Sequence, residues 1–376
     1  MKQQHVFTVS RLALDAQERG TVLTRSVHIA VRGGNQPIMK KPGLAIIGLG
    51  PAALPHAKSL VDLKDRVDVI WAASRTKDRT NEFARSFPFP VTNSIDAAIN
   101  DPAVDIVLVL TPANAHLEIA EKSFAAGKHV LLEKPLDITL KRAERIVTLG
   151  RENDRTFGVV LQHRFRPASL RLREALEDNS LGAIEAASLR VPWWRPQTYY
   201  DVGGRGSFAR DGGGVLLSQA IHALDLFRSL LDVKEVIASQ IRTTSLHRME
   251  AEDHVTALMT LGNAAPASLL ATTAAFPGFP ETLEITGSLG SAYLSGGALR
   301  LSWLDGREEI VESEGKSGSG GNIMDFPHDA HRSLIADFLT AVAESRDPLV
   351  TGEEALATQR LIAKIIRADP TNNQPI

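Results

Sequence analysis

Ile47-Gly48-Leu49-Gly50-Pro51-Ala52-Ala53 spells Gly-x-Gly-x-x-Ala between an apolar run, Leu44 to Ile47, and a helix-like segment, Ala52 to Leu63. A chain with that junction must run strand, tight turn, helix. Each small residue has its own reason: Gly48 permits the turn, Gly50 lets a pyrophosphate approach the backbone, and Ala53 lets helix pack closely on strand. The helix N-terminus then faces the negative charge. Leu49 and Pro51 complete this candidate cofactor loop. The spacing alone also fits an ordinary glycine-rich loop, and its strand and helix context is what points to a dinucleotide.

That context continues. Val67 to Ala73, Asp105 to Leu110, His129 to Leu132 and Phe157 to Leu161 read as strands, separated by helical stretches at Thr80 to Phe87, Ala115 to Ala126 and Leu140 to Glu152. Such alternation builds βαβ units and a parallel sheet. Beyond Pro167 strands follow one another directly: Ala183 to Arg190, Val236 to Thr244, His254 to Leu261, Ala267 to Ala274, Thr282 to Thr286 and Ser291 to Leu294. With turns at Gly262-Asn263 and Gly296-Gly297, they predict a mostly antiparallel sheet, closed by helices at Ser333 to Glu344 and Glu353 to Arg367. The 376 residues thus divide into an α/β domain over 41–163 and a second, sheet-rich α/β domain over 164–376. The Gly-Ser-rich stretch 315–321 reads as a mobile loop. Residues 1–40 read as an extension: a transit peptide, a disordered arm, or a mis-assigned start with Met39 as the initiator.

Several function classes drop out. The 42 basic and 44 acidic residues leave a net charge of -2, which gives no field for a nucleic acid. No cysteine is present, so thiolate chemistry and disulfides are excluded and a cytoplasmic setting is expected. No apolar run reaches the roughly 18 residues of a membrane span, so no membrane partner is expected.

At the end of the second strand, a carboxylate would bind the ribose 2′-hydroxyl of NAD. The chain instead reads Ser74-Arg75-Thr76-Lys77. Arg75 can fork onto a 2′-phosphate, with Ser74 donating beside it, which favours NADP over NAD. Stacking of Arg75 on adenine would suit either. Further along, strand His129 to Leu132 runs into Glu133-Lys134-Pro135, placing an amine where ligands of parallel sheets bind. A lysine partly desolvated over a nicotinamide is drawn from about 10.4 toward the range useful to a general base.

The glycine-rich turn, Thr111-Pro112-Ala113-Asn114-Ala115-His116, Glu133-Lys134-Pro135, and Asp211-Gly212-Gly213-Gly214 leading to His222 together resemble the Gfo/Idh/MocA family, named for glucose-fructose oxidoreductase and inositol dehydrogenase. The resemblance spans roughly residues 43 to 365. It implies a Rossmann domain and an open α/β domain whose large sheet joins subunits, hence a homodimer or homotetramer. It also implies that Lys134 exchanges a proton with the substrate hydroxyl and that His222 lines the substrate site. The family often has aspartate four residues before that histidine; here Ser218 stands there, one helical turn away on the same face, able to hydrogen-bond but not to supply charge.

Position adds other candidates. Thr111, Pro112, Asn114 and His116 follow a parallel strand and are candidates for cofactor contact, with capping by Asn114 as the alternative. Gln162, at the domain junction, and Glu133 and Lys134, at their strand end, are further candidates for cofactor contact. Arg164, Trp193 and Tyr199 are candidate substrate contacts, with core or interface packing as the alternative. His328 and His331 have metal-pair spacing but no convergent carboxylate in the sequence, so they read as the start of a helix, and no metal is expected. The expected activity is hydride transfer between a nicotinamide and a carbinol or carbonyl carbon of a sugar, cyclitol or related ring. The alternatives are an NAD-dependent glycosidase acting by transient oxidation and a non-catalytic dinucleotide sensor.

Overall fold

The computed structural model describes residues 41–312 and 327–372; the extension over 1–40 and the Gly-Ser-rich stretch 315–321 lie outside the described residues. Six apolar runs form the first sheet: β1 (Gly43–Ile47), β2 (Asp68–Ala73), β3 (Val91–Thr92), β4 (Ile106–Val109), β5 (His129–Glu133) and β6 (Phe157–Val160). Their order is β3-β2-β1-β4-β5-β6, and all pairs are parallel. The order reverses between β1 and β4, so the connections leave to opposite faces and open a crevice at the carboxyl edge. Helices cover both faces, which is why Ile46, Ile47, Ile106 and Leu108 are all fully buried and these strands are apolar throughout.

The second sheet has eight strands: β7 (Ile184–Pro192), β8 (Val233–Arg242), β9 (His254–Leu261), β10 (Pro266–Thr272), β11 (Thr282–Gly287), β12 (Gly290–Ser295), β13 (Ala298–Trp303) and β14 (Glu308–Val311). In the order β14-β13-β12-β11-β7-β10-β9-β8, β7 and β10 run parallel and every other neighbouring pair is antiparallel. One face is packed: Val255, Ala257, Met259 and Leu261 of β9 are buried, whereas Leu258 between them is 56% exposed. The expected α/β class, a parallel sheet followed by a mostly antiparallel one, is what the chain forms.

Some elements depart from the expected pattern. Pro167–Glu177 is a helix, entered through a proline at its first position, where only strands were expected. Ile95–Asn100 is a further short helix, and β3, β13 and β14 are additional strands. The closing helices also do more than follow the second sheet. Leu334, Ile335, Phe338 and Leu339 of Asp329–Glu344 share a core with Leu44, Ile46, Leu131 and Val160 of the first sheet. Gly352–Arg367 packs against Leu140–Glu152. The chain end therefore helps to bury the first sheet.

Candidate functional site

The carboxyl ends of β1, β2, β4, β5 and β6 deliver Gly48, Ser74, Thr111, Lys134 and Gln162 to one edge of the sheet. Gly48 has φ of +106°, and a Cβ there would lie 2.7 Å from the Leu110 carbonyl. Both facts exclude other residues. Gly50 is open on its outer side, with the nearest atom to a would-be Cβ being Arg79 Nη1 at 3.4 Å. Leu49 and Ala53 are buried while Pro51 is exposed, and the helix Ala53–Asp62 has no side-chain cap at its N-terminus. Those features leave backbone and space for an anion. Thr111 Oγ1 and Gln162 Oε1 are buried polar atoms with no hydrogen-bond partner, as a site shaped for another polar molecule would have. The edge thus fits a dinucleotide. We expect Gly48→Ala to abolish dinucleotide binding and to cost roughly 1–3 kcal/mol of stability, read by dinucleotide titration and thermal unfolding; unchanged values in both would refute the steric argument.

Ser74 is buried, its hydroxyl accepting from the Thr76 N–H at 3.3 Å, while Arg75 is exposed. His116 is buried, one ring nitrogen 2.8 Å from the Thr111 carbonyl and the other 3.0 Å from that of Pro135. It therefore ties the loop after β4 to the loop after β5. Pro112 and Asn114 are exposed, and Asn114 donates to the Ala209 carbonyl at 3.2 Å rather than capping a helix.

Lys134 follows β5 and precedes a cis proline. Its Nζ donates to the Ser218 carbonyl at 2.8 Å, and its backbone N–H donates to Glu133 Oε2 at 2.7 Å. Burial disfavours the Lys134 ammonium and lowers its pKa, although the Glu133 and Asp211 carboxylates partly oppose this. Burial pushes against the Glu133 charge too, but the His56 hydrogen bond and the Lys134 charge prevail and hold it at about 2.

The helix expected to carry both Ser218 and His222 is interrupted: Val215–Ser218 ends, Gln219 and Ala220 form a turn, and Ile221–Leu230 begins. Ser218 meets Lys134 through its carbonyl. Gly214 leads into this segment, and a Cβ there would fall 1.7 Å from the Glu252 carbonyl oxygen, so the close approach requires glycine. His222 Nδ1 is buried without a partner, and burial together with the Lys134 charge depresses the imidazole well below its usual range.

Trp193 and Tyr199 both lie against Arg195. Gln219 Nε2 donates to Tyr199 Oη at 3.2 Å, and the Arg195 guanidinium stands 5.2 Å from the Trp193 ring centre and 6.0 Å from that of Tyr199. Arg205 lies 4.1 Å above Tyr199. Arg164 is placed differently: its guanidinium grips Asp225 at 2.7 and 2.6 Å and Glu354 at 2.9 Å, pinning three elements together. His163 lies in the run after the last strand of the first sheet that position already marks; Gln219, Arg166 and Arg205 carry no such mark, although Arg166 is only two residues beyond Arg164.

The two histidines with metal-pair spacing separate. His328 Nε2 pairs with Asp62 at 2.8 Å, while His331, in the first turn of its helix as expected, joins His56 and Glu133 with ligand atoms within 4.8 Å of one another. His56 Nε2 lies 3.3 Å from Glu133 Oε1, and the two imidazoles meet edge to face at 5.1 Å. Among the described residues no helix is long and apolar enough to cross a membrane.

Residues 43–161 match the family model described as an oxidoreductase family with an NAD-binding Rossmann fold, and 169–293 match the GFO/IDH/MocA C-terminal domain. Myo-inositol 2-dehydrogenase of Thermotoga maritima is 25% identical over 83% of this chain and 91% of its own length. The structure of levoglucosan dehydrogenase with NADH superposes with a TM-score of 0.77 at 20% identity, covering 88% of this chain and 97% of that one. WlbA dehydrogenase of Bordetella pertussis, solved with NADH and UDP-GlcNAcA, gives a TM-score of 0.75 at 24% identity, covering 88% of this chain and 96% of that one.

Proposed function

We propose, from the premise that the chain belongs to the Gfo/Idh/MocA family of NAD-binding oxidoreductases, that it interconverts a carbinol and a carbonyl on a sugar, cyclitol or related ring, with Lys134 moving the hydroxyl proton. A bound nicotinamide supplies the hydride acceptor or donor. One observation carries the reading: a half-buried amine at the carboxyl end of a parallel strand, aimed by the Ser218 carbonyl at 2.8 Å and drawn by burial toward its neutral form. His222 and the Ser218 carbonyl orient the substrate oxygen and the amine. Trp193 and Tyr199 wall the ring pocket. The myo-inositol dehydrogenase among its relatives supports a polyhydroxylated ring as substrate. Residues 41–163 bind the dinucleotide, 164–376 shape the substrate side, and the outer face of the second sheet joins two subunits.

A panel of sugars and cyclitols followed at the nicotinamide absorbance band tests this: steady conversion of the dinucleotide is expected. Glycoside cleavage without net conversion would favour the transient-oxidation glycosidase, and dinucleotide binding with neither activity would favour a sensor.

For the dinucleotide, the proposal is NADP ahead of NAD. Arg75 follows the end of β2 and is exposed, and Arg79 Nη1 lies 3.4 Å from where a Gly50 Cβ would be, so one guanidinium borders the glycine loop and a second stands at the end of the neighbouring strand. Arg75→Asp should weaken NADP by about 10- to 100-fold, the worth of a charged hydrogen bond, and change NAD less than about threefold. Equal loss of both cofactors would mean that Arg75 stacks on adenine instead.

A further inference from the structure

Beside His222 runs a line of buried and half-buried polar side chains that the proposed reaction does not use directly. His163 stacks on His222, the ring centres 5.2 Å apart and the planes inclined by 28°. His163 Nε2 lies 2.7 Å from Arg166 Nη2, and Arg166 Nη1 donates to Glu281 Oε1 at 2.7 Å. His163 is 4% exposed and Glu281, just before β11, is 7% exposed. A guanidinium has donors only, so His163 Nε2 must accept, and its ring proton resides on Nδ1. Arg166 thereby fixes both the tautomer and the plane of His163.

His222 needs such a neighbour. The helix Ile221–Leu230 sets the position of its Cβ but not the rotation of its ring, and its buried Nδ1 has no hydrogen-bond partner to orient it. A histidine that meets substrate usually has its other nitrogen held by an acceptor. Here the stacked face of His163 takes that part.

We propose that Glu281, Arg166 and His163 form a positioning relay that holds the His222 ring in the plane in which it meets the substrate hydroxyl. The proposal rests on the oxidoreductase reading for its purpose but not for its geometry. The surrounding charges agree with it. Burial, the Arg166 charge, and His222, His331 and Lys134 keep His163 well below the usual histidine range. Burial, Lys134, His331 and Arg166 do the same for His222, against the opposing pull of Glu133. The stack therefore joins two neutral rings, free of the repulsion that two imidazolium ions would bring.

The test combines imidazole NMR of the dinucleotide-loaded protein with steady-state kinetics on the best ring alcohol. In the unaltered protein His163 should be a single Nδ1–H tautomer. Arg166→Met should release it, shift or broaden the His222 ring resonances, and lower kcat by about 10-fold, the scale of a side chain that orients a reacting one, with KM changed less than about threefold. Arg166→Lys keeps the charge but replaces the rigid planar fork with a flexible point charge, so an intermediate result is expected, and this variant decides the matter if Arg166→Met does not fold. Unaltered His222 resonances in the folded variants overturn the relay, as does an unaltered kcat. Failure to convert any ring alcohol would reject the oxidoreductase reading instead, while the His163 tautomer and His222 resonances still judge the relay.

Discussion

Lys134→Ala leaves a protein that binds its dinucleotide within a fewfold of the original affinity but turns over about 100- to 10,000-fold more slowly, the range for losing a positioned acid–base group. The two effects separate because the Lys134 side chain is held by the Ser218 carbonyl on the substrate side, whereas the main-chain N–H bonded to Glu133 survives the substitution. Dinucleotide titration and steady-state rates measure the two directly; a variant that keeps its kcat would remove Lys134 from the chemistry.

The same residue predicts a pH profile. Burial, opposed by Glu133 and Asp211, leaves the amine less willing to hold its proton than an ordinary lysine. Alcohol oxidation needs the neutral amine, so its rate should rise with pH through a value below the usual ~10.4. Carbonyl reduction needs the ammonium and should fall over the same window. Glu133→Gln removes a carboxylate that raises the Lys134 pKa, so the oxidation limb should move further to the acid side. A limb that stays in place in Glu133→Gln would mean another group controls the profile.

What the sequence made legible followed from local chemistry. Gly48 and Lys134 are fixed by their immediate neighbours: a strand must end and a helix must begin, and the strand end selects which side chains face the crevice. Arg164 marks where local chemistry stops being informative. Its position after β6 suggests a ligand, but its partners Asp225 and Glu354 lie 61 and 190 residues away, so nothing nearby reveals that its donors are occupied. Glu281 carries no local mark at all; it matters because β11 pairs with β7 and brings it to Arg166, 115 residues earlier. The role of Phe338 in the first sheet's core is likewise a tertiary fact that periodicity cannot contain. Ser218 shows a finer limit. Helical spacing placed its side chain beside His222, but two turn residues intervene and its carbonyl makes the contact with Lys134.

Arg164→Met should cost about 3–5 kcal/mol of unfolding free energy, the usual penalty for stranding one partner of a buried ion pair. Asp225 is fully buried, and both its oxygens depend on this guanidinium, at 2.7 and 2.6 Å, with Thr358 adding one bond at 2.7 Å. Glu354, by contrast, retains Arg228 at 2.6 Å and is 42% exposed at its side chain, so the loss concentrates on Asp225. Removing both charges should therefore restore most of the stability: the double variant Arg164→Met, Asp225→Leu buries no unpaired carboxylate and should regain at least about 2 kcal/mol over the single one. Urea unfolding of the two variants measures this. The kinetic expectation separates a structural Arg164 from a substrate contact. In the folded fraction KM should stay within about twofold, because the donors that would hold a ligand already hold the helices Ile221–Leu230 and Gly352–Arg367. A KM raised tenfold with stability intact would return Arg164 to the substrate site.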